Sequence, residues 1–473
     1  MYALLRAIAG IALRWFYRDI RIEGLERIPA RRPLLLVVNH PNALVDALLV
    51  GWVVPRRVLI TAKSTLFKNP LANLLLRSLG VLPLQRASDL PAAGGRVDPL
   101  RNRDTFRAVL AALGRGGAVL IFPEGKSHDE PALAPLKTGA ARIAMQARDE
   151  GAAQRGSELS QLAILPIGLT FERKDAPRSR VLVQVGEPIV AAGWQPQSGA
   201  TAVDELTGAI DARLRALTAN YSTADDAARA AHLASIVAAA CRTTSNASRA
   251  RPSLAVEAGI ARRVDEIAAR LGNADVATRA QAMELARRLD GVHSLAAANG
   301  IALEDAAVSL ESSDGVRFAV REGGLLLAGG PVALWGRINH WLPFRAARAV
   351  AMRSVESAAD PAMRTIVAGV AFVLLCYAVQ TIVVGVAFGW IAATVYLVSL
   401  PIAAEINFRL SDRVRRSRQR ARAFLIFRRL PELQRRLSAE LTALQEDVAA
   451  FDAAFTRADA AESGYGVPAG GGR

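Results

Sequence analysis

Residues 34–46 read Leu34-Leu35-Leu36-Val37-Val38-Asn39-His40-Pro41-Asn42-Ala43-Leu44-Val45-Asp46. Five aliphatic residues in succession predict a strand over Leu34–Val38, and Pro41-Asn42 marks a turn. Asn42 then stands as the N-cap of a helix over Ala43–Val54. A strand, a turn and a helix open an α/β unit, and the turn carries a histidine and a carboxylate.

The same rhythm continues on both sides. Val58–Ala62, Val81–Leu84, Ala118–Phe122, Leu162–Leu169 and Arg180–Val185 read as strands. Between them, Asn69–Leu79, Arg103–Leu113 and Gly139–Ala147 carry helical patterns, and Ala87–Pro99 reads as a loop. Alternating strands and helices predict an α/β layer with a largely parallel central sheet. Past about residue 203 the chain turns Ala/Arg/Glu-rich, which predicts a helical domain.

Thr365–Ala404 contains forty residues without a charge, about twice the length of one bilayer-spanning helix. Arg337, Arg345, Arg348, Arg353 and Arg364 precede it; Arg409, Arg413, Arg415, Arg416, Arg418, Arg420 and Arg422 follow. Positive charge on both flanks predicts a transmembrane helical hairpin with both ends in the cytoplasm. Its turn is expected near Gln380–Thr381 or Gly385. The expected organisation is an interfacial N-terminal helix (1–19), an αβ domain (20–220) and a helical domain (221–322). An amphipathic or re-entrant segment broken at Gly329-Gly330-Pro331 (323–364), the hairpin (365–404) and basic C-terminal helices with a flexible tail (405–473) complete it.

Composition excludes several classes. With 473 residues, 52% of them hydrophobic, the chain has ample apolar content for packed cores and exceeds one domain. The net charge of +16 is mostly arginine, and no basic-aromatic pattern signals a nucleic-acid partner. Cys241 and Cys376 fit neither a disulfide framework nor a metal spacing. His40, His128, His232, His293 and His340 are scattered, so no metal is expected. Gly125-Lys126-Ser127 lacks the upstream glycine of a P-loop, because position 120 is leucine.

In α/β sheets, chemistry sits beyond the carboxyl ends of strands. Four strand ends are followed by Asn39-His40 with Asp46, by Lys63, by Gln85-Arg86, and by Pro123-Glu124-Gly125-Lys126-Ser127-His128. Together they supply a base, carboxylates and cations, as a phosphate-bearing substrate requires.

Asn39-His40 with Asp46, Gly80-Val81-Leu82-Pro83-Leu84-Gln85-Arg86, Phe122-Pro123-Glu124-Gly125 and Leu165-Pro166-Ile167 resemble, in order, the four blocks of the glycerophospholipid acyltransferases. The resemblance covers roughly residues 20–220. It implies acyl transfer from a thioester donor, acyl-CoA or acyl carrier protein, to a hydroxyl of glycerol 3-phosphate or 1-acylglycerol 3-phosphate. No further cofactor is implied, membrane lipids become partners, and the cytoplasmic (inner) membrane becomes the location, with the catalytic domain facing the cytoplasm. The catalytic pair is expected to be His40 and Asp46, and the acceptor phosphate to meet Arg86, Lys63, Lys126 and the Gly125 amide. Glu124 is expected to orient Arg86 or a glycerol hydroxyl, with Pro123 and Pro166 shaping the pocket and His128 a loop residue. A non-phosphate lipid acceptor and a catalytically inactive lipid-binding protein fit the same residues.

One departure stands out. Five residues separate His40 from Asp46, where the family pattern has four. On a continuous helix these two positions lie about 240° apart, so the Pro41-Asn42 turn must bring them together.

Overall fold

The computed structural model describes residues 2–63, 80–84, 99–153, 157–195, 201–243, 252–353 and 361–462. The expected helix over Asn69–Leu79, the loop after it and Arg86 lie outside these residues.

The chain divides into two compact units, residues 1–220 with 341–387 and residues 221–340 with 388–473. In the first, eight strands form one sheet: β1 (Asp19–Glu23), β2 (Leu34–Val38), β3 (Val58–Lys63), β4 (Val81–Leu84), β5 (Ala118–Ile121), β6 (Ala163–Phe171), β7 (Arg180–Val185) and β8 (Ile189–Val190). Their order is β1-β7-β6-β2-β5-β3-β4, with β8 also on β6. All pairings are parallel except β6–β7 and β6–β8.

The alternation of β2 explains how the sheet is covered. Leu34, Leu36 and Val38 face a core shared with α1 (Tyr2–Phe16) and α2 (Ala43–Val53). Leu35 and Val37 face the opposite core, filled by α3 (Pro99–Leu113), α4 (Gly139–Ala153) and α5 (Ala202–Leu217). Burial on both faces is why β2 reads as an unbroken aliphatic run. β2 is also central, paired with β5 on one side and β6 on the other. The residues leaving its carboxyl end are therefore flanked by the ends of two neighbouring strands.

The N-terminal helix packs on this domain through Leu13 and Phe16, and Arg6 donates to the Trp52 carbonyl at 2.9 Å. Gly10 lies against the Trp52 indole, where a β-carbon has no room. Leu4 and Ile11 remain exposed on its other face.

The second unit is helical. Its core joins α6 (Ala224–Thr243) and α8 (Val276–Ala298) with the ends of two long helices, α10 (Pro361–Arg429) and α11 (Pro431–Glu462). α7 (Leu254–Leu271) starts at Ser253, whose side chain caps the Val256 N–H. α9 (Ser312–Arg353) is continuous through Gly329-Gly330-Pro331, which corrects the expected break there.

α10 holds the uncharged stretch and is the one helix, among the described residues, long and apolar enough to cross a membrane. Its most apolar window has a mean hydropathy of 2.4, yet only 11% of that window is buried. The backbone leaves helical geometry at Gly389 (φ 84°, ψ 170°), later than the turn expected near Gln380–Thr381 or Gly385. The stretch is thus one long element interrupted at Gly389.

Candidate active site

The site begins where β2 ends. The Asn39 side chain pairs with Leu169 of β6 as a strand residue would, donating to its carbonyl at 3.0 Å and accepting its N–H at 2.7 Å. This ties the end of β2 to β6 just before His40.

His40 Nδ1 lies 3.0 Å from Asp46 Oδ2. A carboxylate accepts, so in the neutral ring Nδ1 carries the proton and the Nε2 lone pair is left for a substrate. The imidazole stacks on Phe122, with ring centroids 3.8 Å apart and planes 11° from parallel. The residue is 7% exposed, and Asp46 is wholly buried. Burial pushes the Asp46 carboxyl above its usual range, while hydrogen bonds from His40 and the Asn42 N–H pull it back.

The extra residue between them is absorbed in the turn. Ala43 takes φ 47°, a left-handed conformation rare for a residue with a β-carbon. Its N–H donates to Ser127 Oγ at 3.0 Å. Asn42 is the N-cap residue of α2, as expected, but its side chain does not bond the first turn. Its main-chain N–H donates instead to Asp46 Oδ2 at 2.7 Å, so the carboxylate closes the turn from within the helix.

Glu124 sits behind His40, 3% exposed. Its Oε1 accepts the main-chain N–H of His40 at 2.7 Å, and its Oε2 accepts the Ala134 N–H at 2.9 Å. Oε2 also meets His128 Nε2. The Glu130 N–H donates to His128 Nδ1 at 3.2 Å, so Nε2 carries the His128 proton toward Glu124. His128 lies on a loop, as expected, and is also part of the scaffold under His40.

The other expected residues are distributed unevenly. Lys63 ends β3, paired in register with Leu84 of β4. Lys126 is exposed on the turn after β5. The Gly125 N–H is used in that turn, donating to the Phe122 carbonyl at 3.1 Å, with φ 77° at Gly125. A cleft of about 260 Å³ opens beside the turn, lined by Asn39, Pro41, Glu124, His128, Thr170 and Lys174 among others. Neither Pro123 nor Pro166 lines it. Pro166 lies inside β6 opposite Val37, and its carbonyl accepts the Gly186 N–H at 2.9 Å.

Residues 19–170 match the profile of the Acyltransferase family. This segment is an acyltransferase-family domain. An uncharacterised acyltransferase of Schizosaccharomyces pombe is 25% identical to the chain over 268 residues, 38% of each protein. The glycerol-3-phosphate O-acyltransferase 2 of Saccharomyces cerevisiae is 38% identical over 96 residues, 20% of this chain and 12% of that protein. The 1-acyl-sn-glycerol-3-phosphate acyltransferase of Cocos nucifera is 27% identical over 198 residues, 40% of this chain and 56% of that protein. The chain thus spans little more than half the length of these relatives at most. The acyltransferase domain carries His40, Asp46 and Glu124; the helical unit lies beyond the matched segment.

Proposed function

We propose that the protein is a membrane-bound O-acyltransferase that moves a fatty acyl group from a thioester, acyl-CoA or acyl carrier protein, to a hydroxyl of glycerol 3-phosphate or its 1-acyl form. The observation that carries this reading is the His40–Asp46 pair at the end of β2, 3.0 Å apart inside the acyltransferase-family segment.

His40 Nε2 takes the proton of the acceptor hydroxyl as its oxygen attacks the thioester carbonyl. Asp46 keeps the proton on Nδ1 and balances the imidazolium that forms. The tetrahedral intermediate collapses, the C–S bond breaks, and the thiolate recovers the proton from Nε2. One ester forms and one thioester is lost. The thioester is already activated, so no acyl-enzyme is required. Arg86, Lys63 and Lys126 are the cations proposed for the acceptor phosphate, Arg86 through a two-pronged contact.

The bilayer is the natural environment for the apolar stretch of α10, which exposes Leu374, Leu375, Ile382, Val386, Phe388 and Trp390. Forty uncharged residues are twice what one crossing needs, and the helix is interrupted at Gly389 within them. We read two crossings, with the arginine-rich flanks and the catalytic domain on the cytoplasmic side of the inner membrane.

Purified full-length protein in detergent, given each donor with each acceptor in turn, tests the function. Ester product from at least one phosphate-bearing acceptor is expected. Turnover confined to lipids without phosphate would overturn the acceptor assignment, and absence of transfer with every pair would overturn the activity.

A further inference from the structure

The turn that brings Asp46 to His40 is strained, and its restraints come from distant parts of the chain. Ala43 holds φ 47°, a conformation that strains a residue with a β-carbon. Such a backbone persists only where its surroundings over-determine it. Three contacts converge on the two residues before it. The Asn42 amide donates to Tyr17 Oη at 3.0 Å and to the Lys174 carbonyl at 3.1 Å. The Tyr17 hydroxyl donates to that same carbonyl at 3.0 Å. Lys174 Nζ reaches back to the Pro41 carbonyl at 3.1 Å and pairs with Asp129. Tyr17 and Asn42 are each 1% exposed, so the bond between them forms out of water.

We propose that Tyr17, Asn42 and Lys174 form a clamp that sets the Pro41–Ala43 turn and so positions Asp46 against His40. The proposal rests on the reading of His40 and Asp46 as the catalytic pair. None of the three need touch substrate to act; they are positioning residues. The clamp answers the spacing problem directly. Six positions along a helix would point Asp46 away from His40. With the turn pinned, the Asn42 N–H and His40 Nδ1 both meet Asp46 Oδ2. Tyr17 suits the role because burial holds its phenol well above the usual value, keeping the hydroxyl a donor. Lys174 places a cation near Asp46, which favours the ionised carboxylate.

The test uses Tyr17→Phe, Asn42→Ala, Lys174→Met and Lys174→Arg in the full chain. One readout is steady-state kinetics corrected for folded protein. The other is the ring tautomer of His40, followed by nitrogen NMR of histidine-labelled protein and assigned against His40→Ala. The first three variants should lower kcat by roughly 10–100-fold, as displaced catalytic groups do, with both KM values within about twofold. The His40 signal should move from the pure Nδ1–H form toward a mixture. Lys174→Arg keeps a donor for Pro41 and a partner for Asp129, and should recover most of the loss. If Tyr17→Phe and Lys174→Met keep kcat within about twofold, or lose it with the tautomer unchanged, the clamp is not a positioning device. Absence of transfer by the wild type with every donor and acceptor would defeat the catalytic reading instead, and the NMR result would still decide the clamp.

Discussion

Glu124 holds the main chain of His40, not its ring: Oε1 accepts the His40 N–H at 2.7 Å while His128 and the Ala134 N–H occupy Oε2. Its carboxylate thus meets three partners inside the protein. The buried His40 amide that Oε1 accepts could not be seen in sequence.

Glu124→Ala leaves the buried His40 N–H without an acceptor, at about 1–3 kcal/mol, and also deprives the half-buried Ala134 N–H and His128 of theirs. The melting temperature and kcat should fall together, with no selective rise in the acceptor KM. Glu124→Gln, which keeps one acceptor oxygen, should fall between. Thermal unfolding measured beside kinetics separates this from a substrate-binding role, which would raise the acceptor KM at unchanged stability.

Asp46→Asn should divide activity from stability. Burial raises the folded-state pKa of Asp46 above its unfolded value. The native state then holds that proton more tightly, and this stabilisation is present in acid and lost as pH rises through the folded value. At neutral pH the ionised group is thus a cost that asparagine does not carry. The variant should lose kcat by about 10²–10⁴-fold without losing thermal stability at pH 8, and its stability relative to wild type should decline toward acid. A melting curve series against pH checks the sign.

Arg86 is proposed to meet the acceptor phosphate. Losing a charge-assisted contact of about 1.5–3 kcal/mol corresponds to roughly 10–100-fold. Arg86→Ala should raise the acceptor KM by that factor and leave the donor KM within about twofold. Arg86→Lys should restore only part, since a point charge cannot bind two oxygens side by side. Equal changes in both KM values would indicate a structural arginine.

Much of the catalytic domain was legible because its strands are short apolar runs bounded by turn residues. Leu34–Val38, Val81–Leu84 and Arg180–Val185 lie where the sequence reading put them. Asp19–Glu23 was not read as a strand, although Ile20 and Ile22 alternate with charges, because five residues at an edge give little signal. The antiparallel return of β7 beside β6 is also absent from local pattern. Gly329-Gly330-Pro331 misled in the other direction. Local breakers lost to packing, since Gly336, one turn later, lies against the Ala403 backbone, a contact only glycine permits.

Within the site, the His40–Asp46 pair was legible from residue types and the turn between them. Its supports were not. Tyr17 and Lys174 stand 157 residues apart, and nothing local links either to Asn42. His128 gave a signal, a histidine four residues after Glu124, but on an irregular loop that spacing carries no geometry.

The role of His40 as the base for acyl transfer stands or falls on one comparison. Wild-type protein and His40→Ala, purified in the same detergent, are assayed for ester formation from a thioester donor and a glycerol phosphate acceptor. General-base catalysis contributes about 10²–10⁴-fold. Ester formation by the wild type and a rate below about a hundredth of it in His40→Ala are expected, with yield and melting temperature preserved. A folded His40→Ala protein that keeps a tenth or more of the wild-type rate would contradict that role.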